Sequence, residues 1–207
     1  MNNIIELFPT PIMDIPIPED INLNTNFLLN QEMRKDELDD NGLYTVGEIS
    51  KNTYILNTPE NKEIKDFILK NIFEYGNKVL GYDYNEFKIT QSWISCKKPG
   101  QMHDIHTHPN SVISGVFYFG DRNEDLPNIT FHKPQSFSFP ILKPNEKDTK
   151  YTNTEFELGL NNLILFPSYL QHSVNLNKSN TPRYSISFNS IPLGIFGDKD
   201  ELTELKL

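Results

Sequence analysis

Residues 103–119, HDIHTHPNSVISGVFYF, and residues 162–191, NLILFPSYLQHSVNLNKSNTPRYSISFNSI, decide the fold. Both are short β-branched and aromatic runs broken by Pro, Asn and Gly, the pattern of strands joined by turns. On either side, FKITQSWISC (87–96) and NITFH (128–132) have the same pattern. Strands are therefore predicted at 87–96, 112–119, 128–132, 162–166, 172–176 and 183–191. With no helical period between them, they must close on themselves or stack as two sheets, which predicts a mainly β jelly roll. Residues 133–158, with Pro134, Pro140 and Pro144, read as a long loop or peripheral hairpin at the mouth of a site.

Upstream of these strands the periodicity is helical. Thr58 as N-cap, Pro59 at the first position, and Ile64, Ile68, Ile72, Tyr75 and Val79 at three- and four-residue steps predict a helix that Gly81 ends. Its apolar stripe should lie on a sheet. Leu23, Phe27 and Leu28 suggest a further helix within 21–40, and Pro9, Pro11, Pro16 and Pro18 make the start of the chain an edge strand or extended arm. The expected layout is one domain over 1–207, with arm and helices in 1–86, a jelly-roll core in 87–191 and a C-terminal tail in 192–207.

Composition narrows the function classes. Nineteen basic against 28 acidic residues give a net charge of −9, which repels nucleic acid and anionic membrane surfaces. The single cysteine, Cys96, forms no internal disulfide, and no apolar run approaches the roughly 20 residues that span a bilayer. The N-terminus lacks the basic start and apolar stretch of a signal peptide. These features predict a cytoplasmic protein with no membrane or nucleic-acid partner. No G-x-S-x-G, P-loop, CxxC or Rossmann signature is present.

Four of the five histidines fall in two places, His103, His106 and His108 in HDIHTHP and His172 in LQHSV. On an extended backbone His106 and His108 point the same way and can close on one metal ion, with His172 delivered by sheet closure as a third ligand. By the same alternation His103 faces away from His106 if the strand runs unbroken, and Asp104 faces with His106. His132 has no partner at ligand spacing and reads as exposed, while Trp93 and Cys96 read as core. Arg183 and Ser185 share one face of the last long strand. An arginine aimed into an aromatic interior is costly unless an anion meets it, because its charge cannot be removed by deprotonation.

In order, SWISCKKPGQMHDIHTHPNSVISGVFYFG, ITFHKP and NLILFPSYLQHSVNLNKSNTPRYSISFN resemble the 2-oxoglutarate and Fe(II)-dependent oxygenases, in the branch met in marine bacteria and their phages. The resemblance covers roughly residues 87 to 191. It implies a double-stranded β-helix (jelly roll, cupin-like) with N-terminal α-helices packed on the sheet, and a cytoplasmic setting, the host's if phage-encoded. It also implies an Fe(II) and 2-oxoglutarate-dependent dioxygenase that hydroxylates a small-molecule or peptidyl substrate, with a homodimer compatible with the sequence. His106, His108 and His172 would hold iron, and Arg183 and Ser185, with Tyr118 as a weaker candidate, would bind the far carboxylate of 2-oxoglutarate. His108 stands where relatives carry an acidic ligand, so Asp104 is an alternative third ligand. Three imidazoles also suit Zn(II). A three-histidine zinc hydrolase or hydratase, or a non-catalytic jelly-roll binding module, are therefore the competing readings.

Overall fold

The computed structural model describes residues 9–35, 47–120, 126–133, 154–156 and 162–207. In chain order it contains β1 (Met13–Pro16), α1 (Thr25–Leu29), β2 (Met33–Lys35), β3 (Glu48–Ser50), α2 (Lys62–Glu74), β4 (Glu86–Lys97), β5 (His103–His106) and β6 (Ile113–Phe119). There follow β7 (Ile129–Phe131), β8 (Thr154–Phe156), β9 (Asn162–Pro167), β10 (His172–Val174), β11 (Arg183–Leu193), β12 (Ile195–Phe196) and β13 (Leu205–Lys206). The larger sheet has the order β1-β9-β6-β11-β4-β3-β2 and the smaller β5-β10-β7-β8, with β12 and β13 as a separate hairpin. Neighbouring strands within each sheet pair antiparallel. All six strands predicted from the sequence are present.

Two apolar cores flank the larger sheet. Ile113, Phe117 and Phe119 of β6 join Ile186 and Phe188 of β11 and Ile64, Ile68 and Ile72 of α2 on one side. Val116 and Tyr118 join Ile129, Phe131, Ile164 and Phe166 on the other. Both faces of β6 are thus covered, and all seven of its residues are buried. This explains why VISGVFYF is apolar throughout and does not alternate. Each fully buried isoleucine of α2 contributes about 1.5–3 kcal/mol, enough to dock the helix.

The further helix expected within 21–40 is α1, which ends at Leu29, after which Met33–Lys35 pairs with Glu48–Ser50 as an edge strand. The reading of the second helix needs two corrections. Thr58 precedes a 3-10 turn, Pro59–Asn61, and regular α-helix starts only at Lys62; its hydroxyl donates to Ile55 O and caps no helical amide. Val79 is exposed because residues Tyr75–Val79 form a π turn, closed by Leu80 N–H on Tyr75 O. The wider turn rotates the following residues off the buried face. Gly76 then packs directly on Phe87, where a Cβ would lie 2.5 Å from Phe87 Cζ. The proline-rich start does supply an edge strand, since β1 pairs with β9. Most of the expected loop at 133–158 lies outside the described residues. Among the described residues, no helix is long and apolar enough to cross a membrane.

Candidate metal centre and anion pocket

Strand alternation sorts β11 into two roles. Tyr184, Ile186 and Phe188 pack toward α2, while Arg183, Ser185 and Ser187 line a pocket between the sheets. The register sets Ser185 between Ser95 of β4 and Tyr118 of β6, and Arg183 opposite Lys97. Trp93, Val116, Phe166, Ile129 and Val174 complete the walls. The sequence reading of Trp93 as core is corrected: it is half-buried, and its ring lies 6.0 Å from that of His108 across the pocket. Cys96, on the opposite face of β4, is buried as expected, and burial raises its pKa.

His106, His108 and His172 converge, with one ring nitrogen of each within 4.8 Å of the others. His172 of β10 sits opposite His106 of β5. His108 follows β5 in a loop whose backbone is anchored by its own N–H donating to Ser168 O at 3.0 Å. Its Nε2 lies 3.1 Å from His172 Nε2. The Nδ1 of His106 lies 2.8 Å from Asp104 O, and that of His172 lies 2.9 Å from Leu170 O. A carbonyl can only accept, so both rings carry the proton on Nδ1 and turn the Nε2 lone pair inward. Burial, with the neighbouring His106 ring adding repulsion, lowers His172 to about 3 and His108 to about 4. Neutral imidazoles with converging lone pairs can hold a first-row divalent cation.

Two expectations about the neighbours fail. His103 does not face away: its ring stacks on His106 at 4.1 Å between centroids, and burial first, then His106, lowers it to about 2. Asp104 is exposed and lies outside the histidine group, so the alternation that placed it beside His106 does not hold. The cause is a break in the β5–β10 register, where His172 pairs with His106 but Val174 pairs with His103. His132 is likewise not simply exposed, since its Nε2 lies 2.8 Å from Ser173 Oγ.

Beyond the histidines the pocket wall holds a buried cation, Arg183, which is 4% exposed. The Arg183 guanidinium lies over the Tyr118 ring, 4.3 Å from its centroid, a cation–π contact. Burial lowers the Arg183 pKa and raises that of Tyr118, with their proximity opposing both shifts. Among the described residues, Arg183 Nη2 and Tyr118 OH are buried without a hydrogen-bond partner. A buried charged donor left unmatched costs several kcal/mol, so this end of the pocket is built for an anionic acceptor.

Residues 91–189 match the model of a family described as "Putative 2OG-Fe(II) oxygenase". No curated protein matches the sequence. Among solved structures, the chain is similar to an oxidoreductase of the 2OG-Fe(II) oxygenase family from Burkholderia pseudomallei, with a TM-score of 0.56 and 14% identity over 80% of this chain and 76% of that one. It is also similar to the non-heme alpha ketoglutarate dependent epimerase SnoN from nogalamycin biosynthesis (TM-score 0.61, 12% identity, 91% and 82% coverage). The carbocyclase SnoK from the same biosynthesis gives a TM-score of 0.59 at 11% identity, covering 89% of this chain and 81% of that one. The shared fold is the double-stranded β-helix.

Proposed function

We propose that this chain, whose residues 91–189 belong to the 2OG-Fe(II) oxygenase family, is an Fe(II) and 2-oxoglutarate-dependent dioxygenase that uses His106, His108 and His172 as its metal ligands. The donor set fits the metal. Two nitrogens bound side by side at about 2.1 Å stand roughly 3.0–3.4 Å apart, and the His108 and His172 Nε2 atoms are 3.1 Å apart. The pocket also fits the cosubstrate. Arg183 can grip a terminal carboxylate through its unmatched Nη2, with Tyr118 OH and Ser185 beside it.

When bound, iron and 2-oxoglutarate would supply the oxidising chemistry, through oxidative decarboxylation of the cosubstrate to succinate. The chain's own residues do the rest. Asp104 O and Leu170 O hold two imidazoles in the metal-ready tautomer. Arg183 sets which end of the dicarboxylate reaches the histidines, while Phe166, Val116 and Ile129 keep that path apolar. The substrate is a small molecule or a peptidyl group.

The single observation that carries this reading is the buried, unmatched Arg183 donor in the same pocket as the three histidines. A zinc hydrolase would use the histidines but leaves that arginine without a task. The test is aerobic incubation with Fe(II), ascorbate and 2-oxoglutarate, with succinate measured by mass spectrometry. Succinate from wild type, and none from Arg183→Met or zinc-loaded protein, is the expected result. Equal succinate from wild type and Arg183→Met contradicts it.

A further inference from the structure

Ser168 is buried in the turn between β9 and β10, and its three polar groups all reach one short segment of chain. Its carbonyl accepts the His108 N–H at 3.0 Å, its own N–H donates to Val112 O at 3.0 Å, and its hydroxyl donates to Ser111 Oγ at 2.8 Å. The segment 108–112 is therefore gripped at both ends. Between those ends it turns at Pro109 and Asn110, where Asn110 has a φ of 56°, in the left-handed region that few side chains adopt. The grip is itself fixed. The single hydroxyl proton of Ser168 goes to Ser111, so Ser114 Oγ, 2.7 Å away, donates to Ser168. Ser111 Oγ in turn donates to Ser190 O at 3.2 Å and accepts the Ser190 N–H at 3.2 Å. Ser114 and Ser190 are fully buried, and a buried chain of hydroxyls with each member matched holds one geometry.

The far end of the same turn serves a second histidine. Leu170, whose N–H donates to Pro167 O at 2.9 Å, supplies the carbonyl that accepts the His172 Nδ1–H. Two of the three converging histidines thus depend on residues 167–170, His108 through Ser168 and His172 through Leu170, and their Nε2 atoms stand 3.1 Å apart. We propose that Ser168 is a positioning residue for the metal centre, which by clamping segment 108–112 sets the spacing of His108 from His172 before any metal arrives. The inference rests on the metal-centre reading above. The clamp matters because His108 lies in a loop, with no strand ladder of its own to hold it. A loop that the metal itself had to order would subtract that ordering cost from the binding free energy, and a loop already held does not. Ser168 thus does for the backbone of His108 what Leu170 O does for the ring of His172.

The experiment uses the full chain, metal-free and then titrated with Co(II) alone. In the metal-free protein the His108 amide should be protected from hydrogen exchange in wild type and lose about tenfold of that protection in Ser168→Ala. Co(II) affinity, by chelator competition, should fall about 10- to 100-fold in Ser168→Ala, and the visible spectrum of bound Co(II) should change with the ligand geometry. Ser50→Ala on β3 is the control, because Ser50 is as buried and its Oγ accepts the Ile94 N–H at 3.0 Å. That variant should lose thermal stability and keep Co(II) affinity within twofold of wild type. The Ser168→Ala effect should shrink to within twofold in a His108→Ala background, where no spacing is left to set. Should Ser168→Ala fail to fold, Ser114→Ala, which removes one bond to the clamp, should shift protection and affinity in the same direction by a smaller factor. Equal His108 protection or equal Co(II) affinity in wild type and Ser168→Ala, or an equal loss of affinity in Ser50→Ala, overturns the proposal. Absence of Co(II) binding by wild type would overturn the metal-centre reading instead, and amide exchange would still decide whether Ser168 holds the His108 loop.

Discussion

His103 and His106 are three residues apart on one strand, yet their rings stack at 4.1 Å with planes 17° apart. A regular strand would send them to opposite faces. The chain advances three residues on β5, from His103 to His106, while its partner β10 advances two, from His172 to Val174. The extra residue is a bulge, and such bulges re-aim side chains beside functional sites. Here it brings His103 onto the pocket wall and leaves Asp104 and Ile105 exposed. The bulge thus leaves the carboxylate nearest in sequence outside the group of His106, His108 and His172.

His103→Ala should therefore weaken metal binding only by the loss of the stack. Aromatic pairs contribute about 0.5–1.5 kcal/mol, or roughly 2- to 12-fold in affinity. His106→Ala and His172→Ala should abolish binding. Chelator competition separates the two classes, and a His103→Ala loss as complete as that of His106→Ala would make His103 itself a ligand.

Arg183→Lys should lower 2-oxoglutarate affinity at least tenfold while metal affinity stays within a factor of two, because an ammonium cannot reproduce the planar two-point grip on a carboxylate. Tyr118→Phe should cost only several-fold, the worth of one neutral hydrogen bond of about 0.5–1.5 kcal/mol. Isothermal titration of the Co(II)-loaded protein checks both. Unchanged cosubstrate affinity in Arg183→Lys would remove this residue from the anion site.

Histidines held neutral by burial make the metal-free protein acid-sensitive. His108 at about 4 and His172 at about 3 lie below the ordinary value of 6.5, so the folded state binds fewer protons than the unfolded state between those limits. Stability from this source is complete above about pH 6.5 and is lost as pH falls toward 4 and then 3. The thermal midpoint of metal-free protein should fall from pH 6.5 to 5, where few carboxylates titrate, and His172→Phe should flatten that slope. A slope identical in wild type and His172→Phe would show that His172 is not held neutral in the fold.

The strands were legible in the sequence because their apolar residues answer to two different burials, continuous in 112–119 and alternating in 183–191. Arg183 and Ser185 could be placed on one pocket-facing side by alternation alone, and the convergence of His106, His108 and His172 followed from sheet closure. What alternation could not reveal was where it breaks. The β5 bulge reversed the faces of His103 and Asp104, and the π turn at Tyr75–Val79 moved Val79 into solvent. Trp93 looked like core because its neighbours Ile94 and Cys96 are core; only the pairing of Ser187 with Trp93 shows that it shares the pocket face of β11.

The histidine that stands in place of a carboxylate gives a further test. His108→Asp lowers the net charge of the site by one, which should strengthen binding of the metal and weaken that of the dianionic cosubstrate, whereas His108→Ala should lose much of the metal affinity. Parallel titrations with Fe(II) under nitrogen check the two variants. Affinities equal to wild type in both would take His108 out of the metal site.

If one pocket binds Fe(II) through three histidines and 2-oxoglutarate through Arg183, anaerobic addition of 2-oxoglutarate to the Fe(II)-loaded protein should change its visible absorption. The expected result is a weak charge-transfer band that saturates at one equivalent of 2-oxoglutarate, is absent in His172→Ala, and requires much higher cosubstrate in Arg183→Met. No band in wild type, or a band of equal affinity in Arg183→Met, would contradict it.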